Sequence, residues 1–174
     1  LAAIGVVLVG ATVFFAYSDR QHDYKWYQAQ FQQQVGEKFG AERAATVPIG
    51  IQQVWSPGLR RADRCVTCHV GLEGGSRLER LSPTARAHPR PELLAAHPVE
   101  TFGCTLCHGG QGWSVTTEEA HGDAEFWDEP LLGKARASRH GLDAASLLET
   151  ACNACHRHAG ATDAMPRVAE AKAL

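Results

Sequence analysis

Three copies of one pentapeptide use every cysteine in the chain: Cys65-Val66-Thr67-Cys68-His69, Cys104-Thr105-Leu106-Cys107-His108 and Cys152-Asn153-Ala154-Cys155-His156. Two cysteines separated by two residues can each form a thioether with a vinyl group on one edge of a single porphyrin. The histidine that follows is then placed to give a ring nitrogen to the iron. Six cysteines also suit zinc sites built from CxxC pairs, or a disulfide framework. Neither alternative requires a histidine after the second cysteine in every copy. The pattern therefore predicts three covalently bound haem c groups, attached at Cys65, Cys68, Cys104, Cys107, Cys152 and Cys155 with His69, His108 and His156 as proximal ligands. A porphyrin is a large apolar body, so such a chain needs little side-chain core, and the expected fold is mainly α with much irregular loop.

The first segment reads differently. Residues Leu1 to Tyr17, LAAIGVVLVGATVFFAY, carry no charge and are dense in aliphatic and aromatic residues. As a helix the run spans about 25 Å, slightly short of a bilayer crossing. The chain begins on leucine rather than methionine, and upstream residues are expected. A secretory signal would show a small-residue cleavage site. Here Phe14, Phe15 and Tyr17 lead directly into Ser18-Asp19-Arg20, with aromatics where an interfacial belt would sit, which favours a retained anchor in contact with membrane lipid. Covalent haem attachment takes place outside the bacterial cytoplasmic membrane, so a single-pass protein with its haem domain in the periplasm is expected. Net charge is −2 before any propionates are added, and no nucleic-acid partner is implied.

Residues 18–47 are expected to form an amphipathic stalk helix continuous with the anchor at 1–17, because Tyr24, Tyr27, Phe31, Val35 and Phe39 recur every three or four positions. The stripe could serve a partner subunit or pack on the chain's own haem domain. Gly36, Gly40 and Pro48 mark the end of the helix. Pro48 to Trp55 is expected to run extended or irregular into a trihaem domain at 48–174. No sustained strand alternation follows between Cys65 and Arg139, whereas Leu142 to Cys155 suggests a short helix with Asp143 at its N-cap.

An iron that only carries electrons is served by a second strong axial ligand. His88 and His97 both precede prolines, which hold the preceding residue extended, and His121 precedes a glycine that permits close approach to a flat cofactor. These three are the expected distal ligands, with His140 in reserve for the third haem. His158 is expected at solvent or near a propionate, and His22 at the membrane interface. Met165, the single methionine, would raise the potential of any haem it ligated. Arg60, Arg61 and Arg64 could pair with propionates or with an acidic partner, or form a solvated basic face.

The stretch HPVETFGCTLCHGGQGWSVTTEEAHG at 97–122 resembles membrane-anchored multihaem c-type cytochromes found alongside quinol-oxidising cytochrome b or similar respiratory complexes. The resemblance also takes in Pro48-Ile49-Gly50-Ile51-Gln52-Gln53, Asp63-Arg64-Cys65-Val66-Thr67-Cys68-His69 and Trp127-Asp128-Glu129-Pro130-Leu131-Leu132. It implies electron relay between a membrane quinol-oxidising unit and a periplasmic redox protein or terminal enzyme, with His97 and His121 among the ligands. The leading expectation is an electron-transfer subunit of a respiratory or photosynthetic complex rather than an enzyme in its own right. A stand-alone quinol dehydrogenase would need a quinol pocket that nothing in the sequence singles out. Catalysis at one open iron would need a free coordination position, which the surplus of histidines argues against.

Overall fold

The computed structural model describes residues 2–20, 22–72, 83–123, 137–139, 141 and 143–157. They are mainly helical, with one small hairpin as the sheet. By their contacts the residues form two compact units, one comprising Leu1–Gln52 and Val66–Pro89, the other Gln53–Cys65 and Arg90–Leu174.

In the first unit, α1 (Ala2–Arg20) carries the apolar run and α2 (Asp23–Phe39) the amphipathic one. The expected continuous stalk is thus broken before Asp23, where His22 is extended at φ −65° and ψ 132°. No single helix among the described residues is long and apolar enough to cross a membrane. By length and composition, α1 and α2 together form one bent pair that could. Asp23 in the first turn and Lys38 in the last complement the helix dipole of α2. Gly40, at φ +91°, ends it by returning its N–H to the Gly36 carbonyl at 2.9 Å, after which α3 (Ala41–Ala45) packs back against α2.

The stripe on α2 is set by Tyr24, Gln28, Phe31 and Val35, all buried, while Tyr27 is only half-buried and Phe39 is exposed. Phe31 and Val35 meet Ala85, from a 3-10 turn at Pro83–Ala85, with Ala44, Val47 and Val70 around them. The stripe therefore packs at least partly on the chain itself. The polar member of the stripe, Gln28, is 2% exposed and fully engaged: its Nε2 donates to the carbonyls of Gly50 and Thr67, and its Oε1 accepts from the Gly50 N–H, all at 2.8 Å. Thr67, wholly buried, donates to the Gln52 carbonyl and accepts the Gln52 N–H. A Cβ on Gly71 would lie 1.8 Å from the Ala85 carbonyl oxygen, so only glycine lets these two backbone segments approach.

The second unit opens with an antiparallel hairpin, β1 (Val54–Ser56) and β2 (Arg61–Asp63), in the register Val54↔Asp63, Trp55↔Ala62, Ser56↔Arg61. Sequence reading placed Val54 and Trp55 in an extended or irregular run. The hairpin forms because Ser56-Pro57-Gly58-Leu59 turns sharply, with Leu59 and Arg60 N–H groups bonding back to Ser56 and Pro57, and with Arg60 at φ +50°. Three short helices follow: α4 (Pro91–Ala96), α5 (Val99–Phe102) against β1, and α6 (Thr105–His108). The last, α7 (Ala144–His156), starts directly after Asp143, as the sequence suggests, and packs against α6.

Candidate haem-attachment site

Each pentapeptide ends up on a tight helical turn or short helix. The first has a 3-10 turn at Cys65–Thr67, the second forms α6 with Cys104 as its N-cap, and the third is the last turn of α7. All six cysteines are described and none is in a disulfide.

Asp63, at the end of β2, ties the first and second motifs together. It is 2% exposed; its Oδ1 accepts the Cys65 N–H at 3.0 Å, and its Oδ2 accepts the N–H groups of Cys104 and Thr105 at 2.8 and 2.7 Å. Burial by itself would raise this carboxyl, but those backbone donors, Thr105 foremost, together with the Cys65 thiol, hold it below the ordinary aspartate range. Gly103, at φ +67°, leaves room for the carboxylate: a Cβ there would lie 2.8 Å from the Asp63 Cβ. The Cys65 thiol is pushed strongly up, first by its hydrogen bond to Cys104 and then by burial and the Asp63 charge.

Asp63, Cys65 and Cys104 place three potential ligand atoms within 4.8 Å of one another. Both Asp63 oxygens are already committed to backbone N–H groups, so the carboxylate is accounted for as the clamp between two motifs.

The packing of α6 on α7 brings the second and third motifs together as well. Burial raises the Cys107 thiol first, and the proximity of Cys152, Cys104 and Cys155 raises it further. Cys68, in the first unit, is pushed up to about 11 by burial and by the nearby Asp23 carboxylate.

Among the expected distal ligands, His88 is half-buried, and its N–H reaches the Leu72 carbonyl at 3.3 Å, three residues past His69. His121 lies exposed in a wide turn at Glu119–Asp123, beside Gly122 at φ +130°. That turn is held to the chain leaving the second motif by the Gln111 N–H on the Ala120 carbonyl at 3.2 Å. His97 caps α4, and its ring stands 5.9 Å from that of His156, centre to centre. His22 stacks on Tyr24 at 5.9 Å. His140, His158, Met165 and the run 127–132 lie outside the described residues.

Of the arginines before Cys65, Arg64 is committed within the protein. Its Nε donates to Gln53 and its Nη1 to the Trp113 carbonyl, both at 2.9 Å, and its guanidinium lies 5.8 Å from the Trp113 ring centre. Sequence reasoning missed Asp63 and Gln28 as organisers. An aspartate two residues before a CxxCH was the available signal for the first, and a glutamine in phase with an apolar stripe for the second.

No family model, curated protein or solved structure matches this chain.

Proposed function

We propose that this chain is a membrane-anchored trihaem c-type cytochrome that relays single electrons on the periplasmic side of a bacterial inner membrane, as a subunit of a larger respiratory or photosynthetic complex. The observation that carries the proposal is the threefold CxxCH pattern, drawn together by Asp63 between the first two motifs and by the α6–α7 contact between the last two. When bound, haem c supplies one-electron exchange at iron.

The burial pattern suits a domain that encloses bodies of this kind. Among the described residues of the second unit, the buried apolar side chains are Ala62, Val99 and Ala137, while Trp55 and Trp113 are about half exposed, each at 52%. Half-exposed indoles such as these leave apolar surface that a large apolar cofactor would cover.

In this reading the paired cysteines hold the porphyrin edges, and His69, His108 and His156 supply the proximal nitrogens. His88, His97, His121 and His140 are the distal set. The chain's own residues contribute spacing, ligation and exclusion of water rather than bond making, so the protein is an electron-transfer subunit and not itself an enzyme. The apolar α1 is the anchor, with quinol-oxidising cytochrome b-type subunits and a periplasmic redox protein as partners.

The test is haem content and low-temperature EPR on the full chain purified in detergent. Three haems per chain, all low-spin in the ferric state, are expected. A high-spin signal that shifts on adding cyanide would replace the relay with chemistry at an open iron. Absence of covalent haem from protein matured with a c-type attachment system would overturn the reading altogether.

A further inference from the structure

The distal candidates do not stand in equivalent places, and one of them faces a proximal histidine. His97 and His156 have ring centres 5.9 Å apart and planes inclined at 74°. Metal–imidazole nitrogen bonds are about 2 Å long and the ring centre lies ~1 Å further out, so two imidazoles on opposite sides of one iron have centres roughly 6 Å apart. An edge-to-face pair spans the same range of separations, so it is the hydrogen bonding of the His97 ring, with this spacing, that carries the argument.

The chemistry of the His97 ring agrees with the spacing. His97 ends α4 and its backbone N–H bonds to the Leu93 carbonyl at 2.8 Å. The ring Nδ1 reaches the same carbonyl at 3.1 Å. A carbonyl can only accept, so Nδ1 carries the proton and the lone pair is left on Nε2, the tautomer that a metal-ligating histidine requires. Phe102 stands edge-on to the ring at 5.4 Å and limits its rotation. The imidazole is thus held in orientation, though it is only half-buried.

We infer that His97 Nε2 is the ligand opposite His156 on the third iron, so that the third haem is completed from the segment preceding the second attachment motif. The inference rests on the trihaem reading above. It assigns His97 away from the haem nearest to it in sequence and leaves His88, His121 and His140 to the first two. It also sets an electronic signature. Nearly crossed ligand planes leave two iron d orbitals almost degenerate, which gives a ferric low-spin EPR signal with a large principal g value, whereas parallel planes give a rhombic signal.

The experiment uses the full-length holoprotein in detergent, with haem content measured on every sample. In the parent protein one of the three low-spin signals should be of the large-g type. His97→Ala should keep three haems but convert one to high-spin, with loss of the large-g signal and its recovery as low-spin on adding imidazole. His97→Met should retain three low-spin haems and raise one midpoint potential, because thioether sulfur favours ferrous iron. Three unchanged low-spin signals in His97→Ala overturn the assignment. Should His97→Ala mature with fewer haems, an unaltered set of potentials in His97→Met overturns it equally.

A Cys152→Ser/Cys155→Ser variant, carrying two haems, should lack the large-g signal, and adding His97→Ala to it should leave both remaining haems low-spin. A new high-spin signal in that background would place His97 on another haem. A parent protein without haem would instead remove the trihaem reading on which the assignment stands.

Discussion

The two units are each organised around one buried polar side chain, and the two side chains solve different problems. Gln28 faces a donor and two acceptors, the Gly50 N–H and the carbonyls of Gly50 and Thr67, and an amide can serve both kinds at once. Asp63 faces only donors, the N–H groups of Cys65, Cys104 and Thr105, and a carboxylate is the group that only accepts. The neutral clamp is indifferent to pH, and the charged clamp is not. Charge also makes each hydrogen bond stronger, so the second unit gains a firmer tie that acid can undo.

The largest effect is expected at Asp63. In Asp63→Ala one buried and two part-buried N–H groups lose their acceptor at ~1–3 kcal/mol each, and the variant should fall short of stable folded protein in denaturant titration of the purified chain. Asp63→Asn keeps one acceptor oxygen but turns an NH2 toward donors, and a loss of about 2–4 kcal/mol is expected. If Asp63→Asn were as stable as the parent, the contrast between the two clamps would collapse.

Next comes Gln28→Leu, which fills the same space but orphans one N–H and two carbonyls. A loss of roughly 2–3 kcal/mol is expected by the same titration. Gln28→Glu should do nearly as badly at neutral pH, since a carboxylate cannot donate to the two carbonyls; parity with the parent would show that the amide's dual character is unimportant.

Gly103→Ala is expected to cost about 1–3 kcal/mol, because the new methyl meets Asp63 and a left-handed backbone must be held by a residue that resists it. Denaturant titration checks it, and a Gly103→Ala protein as stable as the parent would argue against that contact.

The smallest and sharpest effect is in pH dependence. The Asp63 carboxyl is held below its unfolded value, so the unfolded chain takes up its proton first as pH falls. Its contribution is fully present above the unfolded pKa of about 4 and disappears as pH drops through the lower folded value. Melting temperature followed from pH 6 down to pH 3 should therefore fall less steeply in Asp63→Asn than in the parent, whereas Gln28→Leu should leave that slope unchanged.

How much of this was legible beforehand follows from the range of the interactions. The three pentapeptides, the stop at Gly40 and the helix after Asp143 are local features, written in neighbouring residues. The role of Asp63 toward Cys104 and Thr105 depends on partners 41 and 42 positions away, and that of Gln28 toward Gly50 and Thr67 on partners 22 and 39 away. No periodicity encodes such pairings. The hairpin escaped notice because strands of three residues are too short to show alternation. The break before Asp23 is hidden by an unbroken run of helix-compatible residues. His97 stood out in the sequence by the proline after it, but not as the neighbour of His156, which only the folded chain brings to it.

The contact between α6 and α7 has one last implication for the proposed relay. Tunnelling probability decays exponentially with the gap between donor and acceptor edges, so a wire made of loosely placed carriers would flicker with every thermal fluctuation of its loops. In the proposed relay the sulfur atoms that would anchor two neighbouring carriers sit on helices in mutual contact, with Cys107 close to Cys152 and Cys155. The hop of that proposed relay would then be gauged by the packing of two helices rather than by the irregular chain around them.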